Sequence, residues 1–155
     1  MQARTIFSIC VSLARIGAGI QWIREGNFKL MAGFQIGGLF PAIASNTDSP
    51  HWYKIFIAHA AAPYPGLFNI VIPWGELLVG LGLTLGLLTL PALIGGLFMD
   101  LNYILADMVY IYPVQIACGI LLILLRKEAE AVSLDRLIRH YRLHRRKLGK
   151  SAKAG

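Results

Sequence analysis

Glu76 is the sole ionisable residue in "IPWGELLVGLGLTLGLLTLP" (72–91), Arg15 interrupts an apolar run near the start of the chain, and Asp100 and Asn102 sit together inside a third. A guanidinium buried near a carboxylate can hold it through two parallel hydrogen bonds, so Arg15 is expected to pair with Glu76 or Asp100. One arginine cannot neutralise both acids, and burial disfavours the charged form of a carboxyl group, so the second acid is a candidate for carrying a proton. Such a set could exchange protons with a bound polar head group, or it could serve only as glue between helices. Lipid exposure is disfavoured, because an unpaired charge at mid-bilayer costs about 2.5 to 3.5 kcal/mol even on the lenient insertion scale.

Other chemistry finds little support. None of His51, His59, His140 and His144 falls in a long apolar run, so a haem held between helices lacks histidine ligands. Cys10 and Cys118 are single cysteines in apolar surroundings, where packing is the expected role. No phosphate loop, zinc signature or nucleic-acid motif occurs. The expectation is therefore no metal, no covalently bound cofactor and no nucleic-acid partner.

The elements that must position these residues follow from hydropathy. Of 155 residues, 56% are hydrophobic and 15% charged, more apolar surface than a water-soluble domain of this size could hide. A bilayer core of about 30 Å takes about 20 helical residues. The apolar runs predict an all-α, integral membrane four-helix bundle over residues 1–132, with spans near 5–24, 67–88, 91–107 and 112–128. The first is expected to stay in the protein rather than be cleaved as a signal peptide, since Arg15 breaks its apolar core and no small-x-small site follows. Between the first two spans, "GFQIGGLFPAIA" is apolar but too short to cross. Next, "HWYKIFIAHAAA" reads as an amphipathic helix with Trp52, Ile55, Phe56 and His59 on one side, Ser49 as its cap and Pro50 in its first turn. Residues 33–62 should thus form an interfacial or re-entrant lid.

Counted from outer helix ends at Ile23, Leu67 and Asp107, the residues Arg15, Glu76, Asp100 and Asn102 all fall at depths of about 8 to 14 Å, one shared layer. Gly82 and Gly86, with Gly95 and Gly96, predict a tight antiparallel pair of helices. Residues 126–155 hold ten Lys or Arg against three acids, an excess equal to the net charge of +7 of the whole chain. By the positive-inside rule both termini face the cytoplasm. Residues 133–155 form a basic amphipathic tail, with Leu134, Leu137, Ile138, Tyr141 and Leu148 on an apolar stripe, suited to an anionic membrane surface or a docking partner.

The segments "GFQIGGLFPA", "HWYKIFI", "WGELLVGLGLTLGLLT", "GLFMDLNYILA" and "ILLILLRKEA...SLDR" together resemble the DoxX family, including its DoxD relatives, in order and spacing from about Arg15 to Arg136. The Gly75–Glu76 step with the glycines after it is the most specific element. The resemblance implies a four-helix protein of a bacterial or archaeal cytoplasmic membrane, similar to the quinone-reacting membrane subunit of thiosulfate:quinone oxidoreductase. Quinone would be a substrate, and other subunits or a second copy would be partners, alongside membrane lipid. The family's Arg, Glu and Asn positions fall on Arg15, Glu76 and Asn102. Glu76 and Asp100 are then the expected catalytic carboxyls, and Arg15, Asn102, Trp52, Trp74 and Tyr103 the expected quinone-binding set. The chain departs from the family at "DMVYIYP" after "LNYILA", and in the length of its basic tail.

Overall fold

A computed structural model describes residues 2–141; residues 1 and 142–155, among them Leu148 and most of the expected tail stripe, lie outside the described residues. Among the described residues the chain is all-helical, without strands. In order, α1 covers Gln2–Met31, a 3-10 turn Ile36–Gly38, α2 Leu39–Ser45, α3 His51–Phe56 with a π-helical turn at Ile57–Ala61, α4 Pro65–Leu85, α5 Thr89–Leu105, α6 Tyr112–Leu124 and α7 Arg126–Ala129. Residues 134–141 are helical again. α1, α4, α5 and α6 run alternately up and down, with α1 packed most closely on α4 and α5 on α6, while α1 and α6 meet only sparsely.

α1 and α4 are long and apolar enough to cross a membrane, whereas α5, with 17 residues, equals its expected span and α6, with 13, falls short of its own. The largest departure from the sequence reading is α1. It was expected to end near residue 24, where charged residues begin, yet it continues to Met31. Charge marks where lipid contact ends, not where backbone hydrogen bonding ends. The seven extra residues, 25–31, add about 10 Å of helix.

α1 approaches α4 through glycines. A Cβ at Gly19 would lie 2.8 Å from the Gly80 carbonyl oxygen and 2.6 Å from the Thr84 amide, and one at Gly80 would lie 2.7 Å from the Ile23 amide. Gly26 meets the Pro73 carbonyl in the same way at 2.8 Å. These are the backbone approaches that small residues permit. The expected glycine pairing between α4 and α5 is looser and involves different partners: Gly82 faces Ala92, Gly96 faces Trp22 and Val79, and Gly86 closes α4 in a left-handed conformation. Gly80→Val is expected to lower the melting temperature in detergent, by the equivalent of about 1 to 3 kcal/mol for an overpacked contact. An unchanged melting temperature would show that this seam is not tight.

At the end of the bundle where α1 begins, α4 turns into α5 through Gly86 and Leu88, both at positive φ. Asp135 caps the new helix by accepting the amides of Leu88 and Thr89, each at 3.2 Å, a charge placed where a helix N-terminus favours it. Glu130 accepts from Arg126 at 2.6 Å and Arg139 at 2.8 Å. Burial acts to raise the Glu130 carboxyl, but the hydrogen bonds and charges of the two arginines outweigh it and hold the group below its ordinary value. Its contribution to stability is therefore complete above the ordinary carboxylate range and is lost as pH falls through the lowered value.

At the opposite end, residues 36–61 form a lid of short helices over α4 and α5. Ile43, Tyr53, Ile57 and Ala61 pack against Phe68 of α4 and Leu105 of α5. Trp52, Ile55 and Phe56 point outward, leaving an apolar face uncovered. Ser49 does not cap α3, whose preceding residue is Pro50; its hydroxyl instead donates to the Leu105 carbonyl at 2.7 Å, closing the end of α5. Asn69 of α4 fastens the start of the lid by accepting the Ile36 amide at 2.8 Å.

Candidate functional site: a buried carboxyl cluster beside a small cavity

Glu76 sits one turn after Pro73 inside α4, and its side chain is fully buried. Its partner is Lys29, not Arg15. The Lys29 ammonium meets Glu76 Oε1 at 2.5 Å, and the Tyr103 hydroxyl donates to the same oxygen at 2.6 Å. Lys29 also lies 5.2 Å from the centre of the Tyr103 ring, which in turn packs on Tyr112 with centroids 4.5 Å apart. Three helices thus converge on one carboxylate: α1 supplies the cation, α4 the acid and α5 the phenol.

Arg15 does something else. It is completely buried toward the end where α1 begins, and there Nε donates to the Ala129 carbonyl at 2.9 Å, Nη2 to the Val132 carbonyl at 2.7 Å and Nη1 to the Leu83 carbonyl. The acidic charges acting on it are those of Asp135 and Glu130. Leu83 is in the last turn of α4, where its carbonyl also accepts the Gly86 amide at 3.3 Å, and Ala129 closes α7. Arg15 is a clamp joining α1 to the ends of two other helices, α4 and α7. The shared layer expected for Arg15 and Glu76 therefore does not exist: Glu76 lies seven residues, about 10 Å of helix, beyond the carbonyl that Arg15 holds. The reason is the longer α1, which sets Arg15 against the end of α4 and brings the Lys29 side chain within reach of Glu76.

Asn102 is also displaced from the expected set. Its amide donates to the Phe98 carbonyl at 2.8 Å, and its carbonyls face the Tyr53 hydroxyl under the lid. Burial pushes the Tyr53 phenol up to about 12, which keeps it a neutral donor there. Trp52 and Trp74 are more than half exposed and lie on outer surfaces, away from the carboxyls. Trp22, which the sequence reading did not single out, is the buried tryptophan, 4% exposed.

Two further residues join the cluster. Glu25 of α1 accepts from Gln21 at 2.9 Å and from Gln115 of α6 at 2.8 Å, through the same oxygen. Asp100 of α5 is 1% exposed and lies within the electrostatic reach of both Glu25 and Glu76. Three carboxyl groups thus share this region with one ammonium, that of Lys29. One oxygen of each carboxyl, together with Gln115 Oε1, makes no hydrogen bond among the described residues. Among those residues no group of three or more His, Cys, Asp or Glu side chains is placed to hold a metal ion.

Beside Asp100 is a cavity of about 180 Å³ between α1, α5 and α6, floored by Leu83 of α4. Gln21, Asp100 and Gln115 supply its polar groups; Trp22, Leu93 and Leu122 are among its apolar walls. No family model, no curated protein and no solved structure matches the chain.

Proposed function

We propose that the chain is a multi-pass membrane protein of the DoxX type, acting as the quinone-interacting subunit of a membrane redox complex. The observation that carries the reading is the cluster in which Lys29 and Tyr103 hold the buried Glu76, with Glu25 and the buried Asp100 in electrostatic reach of it, since intramembrane ionisable groups of this kind usually mark proton or substrate paths. Reducing a quinone to its quinol takes two electrons and two protons. The electrons come from a partner subunit or its substrate, and Asp100 and Glu76 exchange the protons. In this reading α5 and α6 complete the crossing together with α1 and α4, their short length accommodated by local thinning of the bilayer.

The basic end faces the cytoplasm, placing both termini there and the lid with its outward Trp52 at the outer headgroups. A cysteine at position 127, in a variant lacking Cys10 and Cys118, is expected to resist a membrane-impermeant thiol reagent in intact cells and to react after lysis. Labelling in intact cells would overturn the orientation.

A second reading has its own support: Lys29, Glu76 and Tyr103 satisfy one another directly, as a helix-binding network in an anchoring subunit would. Glu76→Gln separates the two. The quinone reading predicts loss of quinone-dependent electron transfer in membranes with folded protein retained, because the amide keeps the shape and still hydrogen-bonds. The anchoring reading predicts a lowered melting temperature and an activity loss no larger than the loss of folded protein.

A further inference from the structure

We propose that the cavity between α1, α5 and α6 is a binding site for a single aromatic ring bearing a hydroxyl group, the hydroxyl donating to Asp100 Oδ1 or Gln115 Oε1. Its volume of about 180 Å³ is close to that of a protein cavity of about 150 Å³ that takes up benzene. Trp22, Leu83, Leu93, Leu97 and Leu122 offer a ring its apolar contacts. At the polar end the two unpartnered atoms are both acceptors. Asp100 is almost wholly buried with Oδ1 free, and Gln115 donates one amide hydrogen to Glu25 while its Oε1 stays free.

The chemistry of the ligand follows from that inventory. A ligand carrying only carbonyl or ether oxygens would leave both acceptors unpaired, which costs about 1 to 3 kcal/mol for a buried group. A hydroxyl satisfies one of them. A water molecule needs two to four polar partners, which the apolar part of the cavity does not supply. Access is lateral: Val114 lines the cavity and is two-thirds exposed, at the seam where α1 and α6 meet sparsely. The site stands on this geometry; its place in electron transfer rests on the quinone reading above, in which the ring would be the head group in its reduced, hydroxyl form. Neither Arg15 nor Asn102 lines this cavity.

The test uses Trp22 as a reporter. Of the three tryptophans, Trp52 and Trp74 are replaced by phenylalanine, and the full chain in detergent is titrated with 4-bromophenol or with 4-bromoanisole, which keeps the ring and bromine but lacks the donor. Expected is saturable quenching by the phenol, with the anisole at least about tenfold weaker, the size of effect when a buried acceptor stays unpaired. Ala18→Phe, which fills the cavity without touching its polar groups, should abolish saturation. Asp100→Leu should weaken the phenol alone, and Gln115→Leu serves as the same control should Asp100→Leu fail to fold. Non-saturating quenching, or equal affinity for the two probes, would overturn the proposal while leaving the Glu76→Gln assay to judge the redox reading independently. Competition by decylubiquinol assigns the ring to a membrane quinol; saturable phenol binding without that competition assigns the site to free phenols.

Discussion

Arg15→Met is expected to be the most damaging single substitution, with a loss of at least about 3 kcal/mol or failure to accumulate folded protein. The methionine keeps much of the bulk but removes the donors that hold the carbonyls of Leu83, Ala129 and Val132. Ala129 keeps the Ser12 hydroxyl and Leu83 the Gly86 amide, each at 3.3 Å, while the Val132 carbonyl loses the donor that Arg15 supplies. A buried carbonyl left unpaired costs about 1 to 3 kcal/mol, and hydrogen bonds from a charged donor are the stronger kind. Because two of these acceptors lie in the chain after α6, the effect should also be local: α7 and the segment behind it come away from α1, and trypsin gains access to Arg136. Arg15→Lys should rescue only part of the loss, since an ammonium cannot reproduce the planar fork that serves three separated carbonyls. Melting in detergent together with timed proteolysis reads both effects. A stable, protease-resistant Arg15→Met would refute the clamp.

The second large effect concerns the buried pair. Lys29→Met leaves Glu76 without its cation and should cost about 3 to 5 kcal/mol; Glu76→Leu should cost a similar amount by stranding Lys29. The double variant Lys29→Met/Glu76→Leu should recover most of the loss, because replacing a whole buried pair by apolar side chains is far milder than breaking it. Tyr103→Phe removes one hydrogen bond to Glu76 and should cost only about 1 kcal/mol. A double-mutant cycle in which the two single losses simply add would show that Lys29 and Glu76 do not interact. Arg15→Met combined with Glu76→Leu should be additive, since the two side chains serve different ends of the bundle.

How far the sequence revealed this can be judged residue by residue. Apolar run lengths placed α4 and α5 to within three residues at each end, because helix extent depends on local composition. Glu76 and Asp100 stood out as ionisable residues in apolar runs, and both are buried. The partners of Glu76 were misread because a pairing is a statement about register. Taking the charges at Arg24 and Glu25 as the end of α1 left out its last seven residues, about two turns, and with them Lys29, so Arg15 was given the partner that Lys29 holds. A signal was present: Gln21, Glu25 and Lys29 recur every four residues, and Gly19 and Gly26 lie seven apart on the helix face that meets α4. Had the helix been allowed to continue, this polar stripe would have pointed at Glu76. Asn102 and Ser49 were legible as polar residues but not as lid fasteners, since their partners come from segments about 50 residues away.

The two apolar helices, the outward aromatic face of the lid and the exposed basic end all fit a protein that works in a membrane. The functional proposal adds that it works there on quinone. The most direct measurement is the quinone content of protein purified from its native membrane in mild detergent, quantified against co-purifying phospholipid. The proposal predicts a quinone-to-lipid ratio well above that of the bulk membrane, together with a co-purifying redox subunit, and a return to the bulk ratio in Ala18→Phe. A wild-type ratio equal to that of the bulk membrane, unchanged in Ala18→Phe, would contradict it.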